Sequence, residues 1–386
     1  MKSIHLALAA AIGMACAATA HAEIKVGVVL SETGPAASLG IPEKKTVELY
    51  PKEIAGQKID YIFMNDSSDP TAAVKATKKL IDDDKVDVVI GSSITPNSMA
   101  MLDVIGGAKT PNISLAAGRP IVFPVSGNRV WAFNTPQTTG LMARAVVKNL
   151  VKDKVGSVAF IGFDDAYGED WWNNFSKDAK AAGIHIVASE RYNRTATSVT
   201  GQILHILAAK PQAVLIAASG TPAALPEREL KKVGYQGQIY QTHGVANPDF
   251  LRVCGADCNG TILSVSPGVV AGQLPASAPI KASAMAYANA YQGAYGKNTL
   301  SQFSVGAWDA GVMLEHALPV ALRHARPDDL PALRAALRNA LEGLHDLRGA
   351  QGVYDMSPSN HNGLDDRAVA VAQIRDGEWK LLRYGQ

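Results

Sequence analysis

Catalytic signatures are the most conspicuous lack in this sequence. Its 386 residues contain no GxGxxG, GxxxxGK[ST], GxSxG or HExxH pattern, and nine histidines are scattered without ligand spacing. Neither sign of charge dominates: 37 Lys and Arg face 35 Asp and Glu, for a net charge of +2. That balance leaves no electrostatic footprint for nucleic acid. Asp164-Asp165 and Asp82-Asp83-Asp84 are carboxylate clusters, the second fitting a solvated helix end better than a metal site. Cysteine is scarce, with Cys16 near the start and Cys254 and Cys258 in the segment CGADC. Neither a cofactor nor a resident metal is expected.

Long apolar sequence is confined to the beginning. Lys2 precedes a mostly apolar stretch, 4–20, which ends in Ala20-His21-Ala22 before Glu23. A positive end, a short apolar run and a small-x-small site describe a cleaved signal peptide at 1–22. The run is short for a membrane span and has no stop-transfer charges. Gly13-Met14-Ala15 before Cys16 is a poor lipobox, which leaves lipidation a minor alternative. The mature chain is expected in the periplasm. There Cys254 and Cys258 would close a small surface disulfide. A metal site would need a further His or Cys that the neighbouring sequence does not supply.

The rest of the chain alternates. Strand-like runs at 24–30, 59–64 and 86–90 are separated by helical stretches at 43–54 and 70–82. Asp69-Pro70 opens the latter, a capping residue before a proline at the first helical position. The pattern repeats with strands at 158–162, 184–189, 213–217 and 238–241 and helices at 168–181, 199–209 and 222–233. Helices at 279–295, 302–323 and 331–341 and strands at 367–374 and 379–382 complete the chain. Such alternation predicts an α/β fold, two doubly wound parallel-sheet lobes with a ligand cleft between them. No long linker is present, so several crossings near Pro136, Ser266 and Gly352 are expected to form a hinge. Residues 23–136 with 267–351 are assigned to the first lobe, and 137–266 with 352–386 to the second.

In such sheets ligands sit beyond the carboxyl ends of the strands. After 86–90 come Gly91, Ser93, Thr95 and Pro96, with Thr95 as a helix cap and Pro96 at the first helical position. A helix start of this kind offers N–H groups and a hydroxyl to an anion, although a threonine so placed also serves simply to cap its own helix. After 112–115 come Ala116, Ala117 and Gly118, small enough to let a ligand approach the backbone. Tyr167, after 158–162, offers a ring face and a hydroxyl to a ligand or to its own helix. Ala218 to Pro222, around Gly220, forms another capped helix start. His243 follows 238–241.

The segments SETGPAASLG (31–40), NDSSDPTAAV (65–74), GSSITPNS (91–98), SLAAG (114–118), DAYGED (165–170) and HGVAN (243–247) share an order and spacing. Together they resemble the periplasmic substrate-binding proteins of branched-chain amino acid ABC transporters, with the type I two-lobe fold, over nearly the whole mature chain. The resemblance implies a monomeric receptor rather than an enzyme. It would capture a small molecule by lobe closure and deliver it to an ABC permease in the inner membrane. It also implies that Thr95 and the residue at 118 bind a ligand carboxylate, that Ala116 offers its carbonyl to an α-ammonium, and that Tyr167 faces the ligand from the other lobe.

The sequence departs from this pattern in a consistent direction. His243 stands where an acidic residue holds the ammonium, and Gly118 lacks the usual hydroxyl. Gly220 and Leu39 stand where aromatics are common, and Ser67 and Ile94 replace a disulfide. A buried ammonium without an anionic partner is costly. The expected ligand is therefore a small carboxylate without an α-amine, an aromatic or other hydrophobic acid, for which Gly220 and Leu39 make room. His243 would meet a hydroxyl or second acidic group in either protonation state, unless it is a satisfied loop residue turned from the cleft. Competing readings are an amino-acid receptor and a ligand-sensing domain of a signalling system. A hydrolase using His243 as base would lack a nucleophile motif.

Overall fold

The computed structural model describes residues 23–385, and the expected signal peptide, with Cys16, lies outside the described residues. The apolar runs become central strands. β1 (Ile24–Leu30) pairs in parallel with β3 (Gln57–Asn65) and β4 (Val88–Gly91). β5 (Asn112–Ser114) and β6 (Ala132–Asn134) continue this sheet on one side, and β2 (Glu53–Ile54) closes its other edge. One face is covered by α2 (Pro70–Asp82) and α3 (Thr95–Gly107). The other is covered by α10 (Gln302–Ala321) and α11 (Leu330–Glu342).

The second sheet is built on β7 (Ser157–Phe163), β8 (His185–Tyr192), β9 (Ala213–Ala217), β10 (Gln238–Gln241) and β11 (Ile262–Val265), all parallel. Around it lie α4 (Thr139–Lys152), α5 (Ala166–Ala181), α6 (Thr200–Ala208), α7 (Ala224–Lys232), α8 (Pro248–Cys254) and α9 (Lys281–Tyr295). A short hairpin, β12 (Leu347–Arg348) with β13 (Val353–Tyr354), precedes the last crossing. β14 (Ala370–Arg375) and β15 (Glu378–Tyr384) then add to β11.

The expectation of parallel sheets is corrected at the edges. β2 runs antiparallel to β3, and β14 and β15 are antiparallel to their neighbours. Asp376 and Gly377, both at positive φ, form the two-residue turn between β14 and β15, a hairpin connection far too short for a parallel crossover. The helix expected at 43–54 is also displaced: α1 spans Ala37–Val47 despite Gly40 and Pro42. Ala36 and Leu39 are buried there against Ile94 and Phe303, and this packing overrides the poor local propensity. The stretch 267–351 does not stay together as the single first-lobe piece expected of it. Val269, Ala284, Tyr287 and Tyr291 pack into the core of the second sheet, whereas α10 from Ala307 onward packs on the first. α9 thus leans on the second sheet while the Tyr295 hydroxyl donates to the Lys45 carbonyl of α1 at 2.7 Å.

Candidate ligand-binding site

The strand-end loops of both sheets converge on one small cavity of about 30 Å³, on a scale where a single water needs roughly 10–15 Å³. Leu39, Ser93, Ile94, Thr95, Leu115, Ala116 and Ala117 line it from the first lobe. Tyr167, Arg194, Ser219, His243 and Gly244 line it from the second, and Pro136, Gln302 and Phe303 from the crossings. The lobes are drawn together around it. The Arg119 N–H donates to Asp170 Oδ2 at 2.8 Å, the Gln302 N–H to the Ala246 carbonyl at 2.8 Å, and the Thr221 N–H to Ser38 Oγ at 3.4 Å. On that scale the closed space has room for about two or three waters and none for a peptide or an oligosaccharide.

Thr95 does not cap its helix. Ile94 occupies the cap position without a side-chain bond, and Thr95 is the first residue of α3. Its Oγ1 is buried and has no hydrogen-bond partner. Pro96 carries no N–H, so the first turn presents those of Thr95 and Asn97, which have no intrahelical acceptor. A free hydroxyl beside the positive end of a helix dipole is a donor set for an anion. Ser93 contributes less: its hydroxyl donates to Glu43 and accepts the Ser31 N–H at 3.0 Å. Burial raises the Glu43 pKa, with the Ser93 hydrogen bond opposing, so this carboxyl is driven toward its neutral form. The Ala116 carbonyl already accepts from Asn134 Nδ2 at 3.3 Å.

The second lobe supplies a residue that sequence reasoning missed. Arg194 follows β8. Its Nε donates to Asp165 and its Nη1 to Ser219 Oγ at 3.0 Å, and its guanidinium lies 4.1 Å from the centre of the Phe163 ring. Asp165 also caps α5 through the N–H groups of Tyr167 and Gly168. The guanidinium is therefore held from two sides, with Nη2 outside these bonds. Among the described residues lining the cavity, Arg194 is the only charged one, and no carboxylate is among them.

His243 turns toward the cavity rather than away from it. Its ring packs against both Tyr167 and Trp171, with centroids 6.3 and 5.9 Å away. It is 2% exposed, and its Nδ1 meets no partner. Burial pushes its pKa down to about 3, which corrects the expectation that it serves in either protonation state. At neutral pH it is an uncharged imidazole with one N–H and one lone pair, and a weak general base. The Tyr167 hydroxyl is bound to Thr242 Oγ1 at 2.9 Å, so its ring face and one lone pair remain.

Gly118 and Gly220 lie behind the cavity, and neither enlarges it. A Cβ on Gly118 would stand 2.2 Å from the Thr95 methyl, so the missing side chain is what lets Thr95 approach. Gly220 has φ +64, and a Cβ there would come within 2.8 Å of Leu39 Cδ1. Leu39 fills the space that a glycine at 220 was expected to open.

Cys254 and Cys258 are disulfide-bonded, with Cα atoms 5.8 Å apart, but both are buried rather than at the surface. Glu227 lies close to both sulfurs, a third donor that the local sequence did not reveal. The bonded sulfurs offer no thiolate to a metal.

The family model for periplasmic binding proteins matches residues 23–378. A Leu/Ile/Val-binding protein homolog from Brucella melitensis is 27% identical over 274 residues, 67% of this chain and 71% of its own. An extracellular ligand-binding receptor from Rhodopseudomonas palustris HaA2 superposes with a TM-score of 0.90 at 41% identity, covering 94% of this chain and all of that one. A solute-binding protein of an ABC transporter from R. palustris, solved in complex with benzoate, gives a TM-score of 0.82 at 22% identity, covering 94% of this chain and 96% of the other.

Proposed function

The chain belongs to the periplasmic binding proteins of the branched-chain amino acid transporter type, and we propose that it is the receptor of an ABC importer for a small aromatic or hydrophobic acid lacking an α-amine. The observation that carries this reading is the make-up of the cavity lining: one arginine, paired behind the wall with Asp165 but with Nη2 outside that bond, and no carboxylate at the cavity surface. An α-ammonium closed into this space would meet Arg194 and a neutral His243. Burying a charge without a partner is among the costliest events in a protein interior. A carboxylate instead meets the guanidinium and Ser219 from the second lobe and the Thr95 hydroxyl with its helix start from the first. An anchor shared by both lobes rewards closure, which is what an importer's receptor needs before it presents its cargo to a membrane permease.

His243, whose Nδ1 meets no partner, then serves the far end of the ligand, where a neutral imidazole hydrogen-bonds a hydroxyl or carbonyl. The benzoate-bound relative shares this fold and supports the ligand class. The names of the Leu/Ile/Val-binding relatives favour an amino-acid receptor instead, and the cavity charge is what separates the two readings. Calorimetry with benzoate and benzamide tests the anchor. The protein should prefer benzoate by roughly ten- to a hundredfold, as charge-assisted hydrogen bonds of about 1.5–3 kcal/mol require. Arg194→Met should abolish that preference. Equal binding of acid and amide by the unaltered protein would remove the argument.

A further inference from the structure

We infer that Gln302, acting with Gln137 and Gln351, is a positioning residue that locks the three inter-lobe crossings in the closed arrangement and thereby sets ligand affinity. The inference rests on the reading of the chain as a lobe-closing receptor.

Each crossing contributes one buried glutamine. Gln137 lies between β6 and α4, Gln302 begins α10 at the end of the second crossing, and Gln351 sits in the β12–β13 hairpin before the third. Gln302 Nε2 donates to Gln137 Oε1 and to Gln351 Oε1, both at 3.0 Å, and its Oε1 accepts the Ser266 N–H at 2.9 Å. The other two amides extend the set: Gln137 Nε2 donates to the Ala368 carbonyl at 2.7 Å and Gln351 Nε2 to the Thr135 carbonyl at 3.1 Å. Ser266 directly follows β11, Thr135 directly follows β6, and Ala368 stands two residues before β14.

The chemistry requires an amide at each position. Gln302 is donor twice and acceptor once, which neither a carboxylate nor an alkyl chain of the same size reproduces. Buried amides that lose their partners keep their desolvation cost, so the set is favourable only when it is complete. Hinge rotation is absorbed by the crossings, and it would separate the backbone points that the three side chains join. Gln302 also forms part of the cavity wall beside Phe303, so the cavity and the hinge share one side chain.

The test uses spin labels at Lys75→Cys on α2 and Lys177→Cys on α5, both exposed positions in different lobes. Double electron–electron resonance then gives the inter-lobe distance distribution of the ligand-free protein. Gln137→Leu, Gln302→Leu and Gln351→Leu should each shift it to longer distances, and the Gln137→Leu/Gln351→Leu double variant should add little to either single change. Affinity for benzoate should fall about tenfold in each, with the ratio between benzoate and 4-hydroxybenzoate unchanged. Unchanged distributions, or fully additive shifts, overturn the inference. A changed ratio in Gln302→Leu alone overturns it too, because that marks a direct ligand contact. Should Gln302→Leu not fold, the other two variants, outside the cavity, decide the matter. If the unaltered protein binds neither acid, the proposed ligand class fails, while the ligand-free distances still test the lock.

Discussion

The state of His243 has a measurable cost that does not depend on which ligand is bound. A base whose pKa is lower in the folded chain than in the unfolded one takes up fewer protons when folded. Its stability is therefore complete above the unfolded pKa and is lost as pH falls. For His243 that window runs from 6.5 down to about 3. Each pH unit within it is worth about 1.4 kcal/mol, so at about pH 5 the residue should remove roughly 2 kcal/mol of the stability present near neutrality. Buried carboxyls act in the opposite sense. Burial raises Glu227 to about 7 and Asp309 to about 6, and both gain stability as pH falls through those values. The wild-type curve mixes the two effects, and subtracting a His243→Gln variant isolates the histidine. Urea unfolding followed by tryptophan fluorescence, at about pH 7.5 and about pH 5, should show the variant gaining roughly 2 kcal/mol on the wild type at the lower pH. Parallel stability–pH curves for the two proteins would refute a buried, neutral imidazole.

Two substitutions separate structural from binding roles. Thr95→Val removes a hydroxyl that caps nothing, so thermal unfolding should shift by less than the equivalent of about 0.5 kcal/mol while benzoate affinity falls about tenfold; a large loss of stability with unchanged affinity contradicts this. Gly220→Ala places a Cβ at positive φ and against Leu39, and should cost about 1–3 kcal/mol in the same measurement. An unchanged melting temperature would show that the backbone there is free to relax.

Much of the fold was legible because local and global preferences agree. α2 begins and ends where Asp69, Pro70 and its periodicity place it, and β9 and β10 coincide with their apolar runs. α1 was expected at 43–54 but spans Ala37–Val47, through Gly40 and Pro42, whose poor helix propensity the contacts of Leu39 with Ile94 and Phe303 outweigh. Of the site, Thr95, Ser93, Ala116, Ala117, Tyr167, Leu39 and His243 meet in one cavity, since the loops at strand carboxyl ends are where the topology sends them. Arg194 obeys the same rule, following β8, and reading that loop as the others were read would have found it. Gln302 and Phe303 arrive from far along the chain, where only the Ser301 capping signal marks a helix start. The glycines show what pattern reading lacks: a missing side chain at 118 or 220 says nothing about which neighbour, Thr95 or Leu39, moves into its place.

Direct titration of the protein with benzoate and with leucine, followed by calorimetry at neutral pH, bears most directly on the central claim. The charge of the cavity predicts heat and saturation with benzoate and none with leucine. Saturable binding of leucine, with benzoate inert, would contradict it and return the chain to the amino-acid receptors it resembles.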